Sequence, residues 1–334
     1  MIKKKTVLVT LTYGDRIGYL KELLTRSFVQ EEINSAIVVS NGSTSPLQNL
    51  MDEWPGKITL VLLPANTGSA NGYAVGIKAA LQTQAEYIWL MDDDNAPKKG
   101  AVSILHAELE RVQTMSYPTQ SAVIGFRPEH QVDIAQGVSP WMAIQPRSSF
   151  FGFHIARIPY KIWRRLPFGK PNSKNMKKVI SLPFSAYGGL LAHRKLFEEI
   201  GLPNTDFILY ADDSEYTSRI TERGGRIALT TDAILDDLES SWNIKTHFSS
   251  SFDTWLLGES DRRLYYAVRN HAYFEKNYSS NHGGWRRINR MVYLFLLKLR
   301  AKRLSRQCRL ELFLLALNDG ESGRLGLHEN YPLP

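Results

Sequence analysis

The sequence predicts an α/β protein, a mostly parallel sheet flanked by helices, followed by a mainly helical and basic C-terminal region. Three observations carry this expectation. Apolar strands alternate with helical stretches through roughly the first 110 residues. The period then dissolves in a Pro-, Ser- and Gly-rich middle and returns near residue 184. Beyond residue 241 the apolar spacing is helical, with nine Lys or Arg and no acid between Trp285 and Leu310.

The first segment, TVLVTLTY, reads as a buried strand rather than a signal peptide, because threonines interrupt it and Gly14, Asp15 and Arg16 follow at once. A helical stretch covers 19–30. The strand AIVVS then runs into Asn41, Gly42 and Ser43, and a helical stretch over 46–54 leads to the strand KITLVLLP. A helix over 72–82 precedes EYIWLM, which runs directly into Asp92. In parallel sheets, ligands bind at the carboxyl ends of strands, so Thr12, Asn41, Asn66 and Asp92 become rim positions. Residues 113–178 show no clear period, and loops of that length are commonly functional. Regularity resumes over 184–191, with helices over 193–200 and 214–224, the latter closed by Gly224 and Gly225.

The composition, 43% hydrophobic and 22% charged over 334 residues, excludes a disordered, collagen-like or fibrous chain. A lone cysteine, Cys308, excludes an internal disulfide and gives no sign of an oxidising compartment, so a cytoplasmic location is expected. The net charge of +8 conceals an uneven distribution. Residues 134–197 hold eleven Lys or Arg and no acid; with the C-terminal tract this accounts for 20 of 41 cations, leaving 21 against 33 acids elsewhere. Both tracts interleave cations with aromatics, among them Trp163 and Trp285. The C-terminal tract reads either as an interfacial helix on anionic lipid at the inner face of the cell membrane or as a packed helix with a solvated basic face. Its longest apolar run, 291–297, is too short to span a bilayer. Nucleic acid is not an expected partner, because no recognition motif accompanies the charge.

Asp92, Asp93 and Asp94 at a strand end repel one another unless a cation or several donors neutralise them. Oxygen ligands in that number suit Mg²⁺ or Mn²⁺ shared with a diphosphate; the alternative is a solvated acidic turn capping the next helix. A second cluster, Asp212, Asp213 and Glu215, opens a helix, where acids also complement the dipole. The glycine-rich NTGSANGYAVG (66–76) lets backbone approach a ligand at a helix N-terminus, yet it is neither a Rossmann nor a P-loop pattern.

Taken in order, TYGDR, VVSNGSTS, NTGSANGYAVGI, YIWLMDDDNAP and ILYADDSEYTSRITERGG resemble the family 2 inverting glycosyltransferases of GT-A fold. YYAVRN and DGESGRLG also look like that family, so the resemblance spans nearly the whole chain. The DDD followed by DDxEYxxR is similar to the galactofuranosyltransferase and rhamnosyltransferase branch. The resemblance implies a GT-A domain over 1–240, with a nucleotide-sugar half (1–110) and an acceptor half (111–240), and a helical region over 241–334. It further implies that Asp92 and Asp94 are the metal-binding DxD pair and Asp213 the catalytic base, with Asp212 and Arg219 beside it. Thr12, Arg16, Asn41, Asp92, Asp93 and the segment from Gly68 to Gly72 would contact the nucleotide-sugar. Where the branch usually has a metal-binding His, this chain has Asp236 and Asp237; Asp237 is the favoured third ligand and His247 the other candidate.

The implied reaction moves a sugar, galactofuranose from UDP-galactofuranose or else rhamnose from dTDP-rhamnose, to a hydroxyl of a bacterial surface polysaccharide or lipid-linked glycan. Mn²⁺ or Mg²⁺ would neutralise the diphosphate, and Asp213 would take the acceptor proton. Trp141, Trp242 and Tyr187 are candidate sugar-stacking platforms or core aromatics. Two rivals remain at this level: a sugar-phosphate nucleotidyltransferase, which would normally carry a basic glycine-rich loop after the first strand, and a non-catalytic basic protein binding nucleic acid or polysaccharide.

Overall fold

A computed structural model describes residues 4–31, 33–114, 117–139, 142, 144, 148–164, 166, 176–239, 250–278 and 284–333. The elements in order are β1 (Thr6–Gly14), α1 (Ile17–Thr25), β2 (Ser35–Ser43), α2 (Gln48–Glu53), β3 (Ile58–Leu63), α3 (Ser69–Leu81), β4 (Tyr87–Leu90), β5 (Asn95–Pro97), α4 (Ala101–Gln113), β6 (Ser121–Phe126) and α5 (Pro128–Ala135). Then come α6 (Ile158–Trp163), β7 (Val179–Leu182), β8 (Leu190–His193), α7 (Arg194–Ile200), α8 (Asp212–Glu222) and β9 (Arg226–Asp237), followed by α9 (Ser251–Leu257), α10 (Asp261–Tyr278), α11 (Gly284–Arg303) and α12 (Gln307–Glu321).

The strands form one sheet in the order β3-β2-β1-β4-β8-β6-β9-β5, with β7 also on β9. β1 pairs in parallel with β2 and β4, β2 with β3, and β6 with β9; β8, β7 and β5 run against their neighbours. Side-chain alternation divides the core into two layers. Val7, Val9, Ile37, Val39, Ile88 and Leu90 face α3, α7 and α8, whereas Leu8, Ala36, Val38 and Trp89 face α1, α2 and α4. A third cluster joins Phe150 to the C-terminal helices through Tyr265, Tyr293 and Phe313.

The first four strands and α1 to α3 appear where the sequence puts them, with ends displaced by a few residues. The middle is more regular than its sequence suggests. β6 has six buried residues in succession, so no inside-outside alternation marks it. Of the stretch read as one regular element over 184–191, residues 184–189 lie instead in the connection between β7 and β8, and only Leu190 and Leu191 belong to a strand.

Candidate active site

β4 ends at Leu90, and the chain leaves the carboxyl edge of the sheet as Met91 to Asp94 before entering β5. The alternation of the strand persists past its end: the Asp92 and Asp94 side chains remain 37% and 28% exposed, but Asp93 only 5%. Asp93 turns inward onto Arg16, which follows β1 and donates from Nε and Nη2 at 2.9 to 3.1 Å. The same Nη2 reaches Asp94 at 2.9 Å, and Nη1 reaches Glu239 at 2.5 Å. Burial, then the neighbouring Asp92 and Asp93, pushes Asp94 up to about 6. Asp93 is raised by burial too, against the pull of Arg16 and of the buried Thr12 hydroxyl beside it.

Asp92 accepts a 2.7 Å hydrogen bond from the Tyr73 hydroxyl and lies 3.7 Å from Arg127. Behind it, a Cβ at position 188 would fall 2.5 Å from an Asp92 oxygen and 2.6 Å from Asn95 Oδ1, so any larger residue there would displace these two side chains. Tyr73 packs against Tyr187 with ring centroids 4.1 Å apart, and Tyr187 reaches Tyr216 of α8. These rings form a buried wall between the two carboxylate clusters. Tyr187 is therefore a core aromatic rather than an exposed platform. Trp141, Trp242 and His247 lie outside the described residues.

The second cluster opens α8. Asp212 is buried and accepts from Ser69 Oγ at 3.0 and 3.2 Å; Asp213 accepts from the Ser214 amide at 2.6 Å. Burial raises both carboxyls. Asp212 is lifted further by Asp213, and Asp213, held back by Ser214, is lifted by Asp92. Helix α3 touches both clusters, Ser69 bonding Asp212 at its start and Tyr73 bonding Asp92 one turn on, so carboxylates far apart in sequence stand beside one helix.

The backbone leading into α8 is strained. Ile208, Tyr210 and Ala211 all have left-handed φ values, 64°, 70° and 59°, without being glycine. Asn270 of α10 holds this run: the two N–H groups of its amide are shared among the carbonyls of Phe207, Leu209 and Tyr210, whose oxygens lie 2.5, 2.7 and 3.1 Å from Nδ2. Buried Arg269 adds contacts to the carbonyls of Asp206 and Phe207.

Several expected contact residues act on the protein itself. Asn41 Oδ1 accepts from the Thr67 amide and hydroxyl at 2.8 and 2.9 Å, while its Nδ2 donates to the Gly68 carbonyl and Asn66. It thus shapes the 66–68 loop with its full hydrogen-bonding capacity. Gly68, at φ +88°, lets that loop meet the second cluster, since a Cβ there would fall 1.9 Å from the Ile208 carbonyl oxygen. Gly72 packs inward on Leu11 and Asn41. Asp237 is likewise engaged by the protein: its side chain is 4% exposed, Oδ1 accepts from Arg127 at 2.7 and 2.9 Å and from Asn95 at 2.9 Å, and Oδ2 lies 3.4 Å from His130. Asn95 links it to Asp94 at 3.2 Å.

Sequence reasoning missed Arg127, Ser69, Gly188 and the role of Asn270. Ser69 and Asn270 stand inside motifs already singled out; Arg127 is marked only by the proline that opens α5. A cavity of about 450 Å³ lies next to the second cluster, lined by Glu129, His130 and Asp133 of α5 with Phe184, Ser185 and Ser214.

The family model for Glycosyl transferase family 2 matches residues 8–201, more than half of the chain. The chain belongs to glycosyl transferase family 2. Its similarity to the galactofuranosyltransferase GlfT1 of Mycolicibacterium smegmatis (strain ATCC 700084 / mc(2)155) is 25% identity over 190 residues, covering 56% of each protein. The chain thus spans little more than half the length of that curated relative. Among solved structures, GalNAc-T7 crystallised with UDP, GalNAc and Mn²⁺ aligns with a TM-score of 0.51 at 12% identity, over 86% of this chain and 54% of that one. S. aureus TarS 1-349 aligns with a TM-score of 0.46 at 14% identity, over 96% and 92%. The fold is the GT-A type α/β arrangement, a sheet flanked by helices with a helical C-terminal region.

A divalent cation is chemically compatible with this family 2 site. Among the described residues no three acidic, His or Cys side chains converge into a cage. The partly exposed pair Asp92 and Asp94 supplies hard oxygens, and Asp94 is raised by burial and by its two neighbouring carboxylates despite Arg16 and Arg127. One or two carboxylates, with substrate phosphates and water completing the shell, is an arrangement Mg²⁺ commonly takes.

Proposed function

We propose that the chain is a metal-dependent glycosyltransferase that moves a hexosyl group from a nucleotide-diphosphate sugar to an acceptor hydroxyl with inversion. The observation that supports this reading is that α3 bonds both carboxylate clusters, Asp92 through Tyr73 and Asp212, next to Asp213, through Ser69, while Asp92 and Asp94 stay partly exposed. Asp92 and Asp94 would hold Mn²⁺ or Mg²⁺, which when bound would neutralise the charge of the departing diphosphate. Asp237, whose Oδ1 holds Arg127 and Asn95 beside Asp94 and whose Oδ2 accepts no hydrogen bond among the described residues, would be the third ligand. Thr12, Arg16 and the 66–72 loop border the donor side, with Asn41 holding the loop in place.

Asp213 is the general base. Its raised pKa brings it nearer to neutrality than an ordinary carboxylate, which favours proton acceptance from an alcohol. The acceptor would enter through the cavity lined by Phe184, Ser185 and Ser214, and Asp212, tied to Ser69, would hold the first turn of α8. The similarity to a galactofuranosyltransferase and the DDD motif support galactofuranose from UDP-galactofuranose as donor; dTDP-rhamnose is the alternative. A hydroxyl of a growing surface polysaccharide or lipid-linked glycan is the acceptor class.

The test is calorimetric titration of UDP and dTDP with and without Mn²⁺, followed by transfer assays with the matching nucleotide-sugars. Metal-dependent binding that disappears in Asp94→Ala, together with transfer that disappears in Asp213→Asn while binding persists, supports the reading. Full-rate transfer by Asp213→Asn overturns it.

A further inference from the structure

Helix α11 is fixed to the body along one side. Asn289, Tyr293, Leu297 and Ala301 are buried, and Tyr293 packs against Phe150 and accepts from Trp255 Nε1 at 2.8 Å. Asn289 bridges the Ile155 amide and the Ser148 carbonyl at 2.9 and 2.8 Å, and Arg300 pairs with Asp253 at 2.7 Å. The helix is therefore firmly seated.

Its opposite side is unlike an ordinary solvated face. Trp285, Ile288, Met291, Phe295 and Leu299 are all exposed, and at 100° per residue they fall along one stripe. Isolated exposed apolar residues are common in soluble proteins, but a row of five large ones is not. Arg287, Lys298, Lys302 and Arg303 are exposed around the stripe, and none is in an ion pair among the described residues. No acid occurs from Trp285 to Leu310. At the N-terminal end, Trp285 meets the ring of His154, and nearby α6 exposes Ile162 and Trp163.

We infer that the outer face of α11 is a docking surface for an anionic lipid bilayer, with α11 lying in the headgroup plane. The stripe would enter the acyl boundary while the four cations meet lipid phosphates. Charge decides in favour of this occupant. A second copy of the chain would bring four unpaired cations against four others, whereas an anionic leaflet offers an opposite charge to each. Among the described residues no helix is long and apolar enough to cross a membrane, which fits a helix that lies on the surface. The surface is separate from the cleft, so this inference stands or falls independently of the transfer reaction.

Vesicle flotation of the full chain tests it, using phosphatidylcholine alone and phosphatidylcholine mixed with phosphatidylglycerol. Binding is expected only to the mixed vesicles and should weaken with salt. Lys298→Gln and Lys302→Gln should each lower partitioning about five-fold, and Met291→Glu with Phe295→Glu should abolish it. Circular dichroism should show all variants folded, because these side chains face solvent. No binding to anionic vesicles, or binding that survives Met291→Glu with Phe295→Glu, overturns the inference. So does light scattering that shows dimers dissociated by the same double change, since the stripe would then join two copies. Transfer to a soluble acceptor, measured without vesicles, reports on the cleft alone.

Discussion

The two carboxylate clusters of the cleft are handled in opposite ways. Asp92 to Asp94 are met by guanidinium groups, Arg16 on Asp93 and Asp94 and Arg127 beside Asp92. Asp212 and Asp213 receive only hydroxyls and an amide, from Ser69 and Ser214, and among the described residues no ion pair involves them. The first cluster keeps two oxygen-bearing side chains open to the cleft with their charge partly offset, which suits a cation and a diphosphate. The second is buried with no cation beside it among the described residues, and burial followed by the neighbouring carboxylates raises its pKa, which suits proton transfer. Carboxylates of identical chemistry thus meet different surroundings, and the tasks proposed for them differ accordingly.

That contrast is most exposed to Asp213→Asn. Removing the base should lower kcat by about 10²- to 10⁴-fold while calorimetry shows unchanged nucleotide binding; a loss of binding instead would assign the residue to the donor side. Asp94→Ala should weaken Mn²⁺-dependent nucleotide binding by about 10²-fold and leave metal-free binding little affected.

Asn270→Ala removes the amide that holds three carbonyls of a strained run. It should cost about 2–4 kcal/mol in denaturant unfolding, and kcat should fall more than donor affinity. The smallest effect concerns pH. Asp213 must be deprotonated to act, and its pKa is raised, so activity should rise with pH through a limb above the ordinary carboxylate range. Asp92→Asn removes one of the charges that raise it and should move this limb to lower pH; an unmoved limb would mean that Asp92 and the base are not coupled.

The strands that bear the rim were legible because each begins as an apolar run and ends in a polar break, as at Met91 to Asp92. The DDD motif was legible for the same reason. β6 was not, since burial on both faces erases the period. The positions of Asp212 and Asp213 depend on left-handed residues at 208, 210 and 211, and nothing in Ile, Tyr or Ala announces that conformation. Asn41 illustrates a different limit. The motif identifies its place at the end of β2, but only the folded loop reveals that Thr67 and Gly68 occupy its amide.

Where Gly68 abuts the carbonyl of Ile208, the loop on one bank of the cleft is latched to the strained run on the other, with the Ala70 amide 3.4 Å from that same oxygen. A methyl group there would act as a wedge, prising the two banks apart and unseating Ser69 from Asp212. Adaptation of the loop to a new sugar must therefore leave this one spot bare, whatever changes around it.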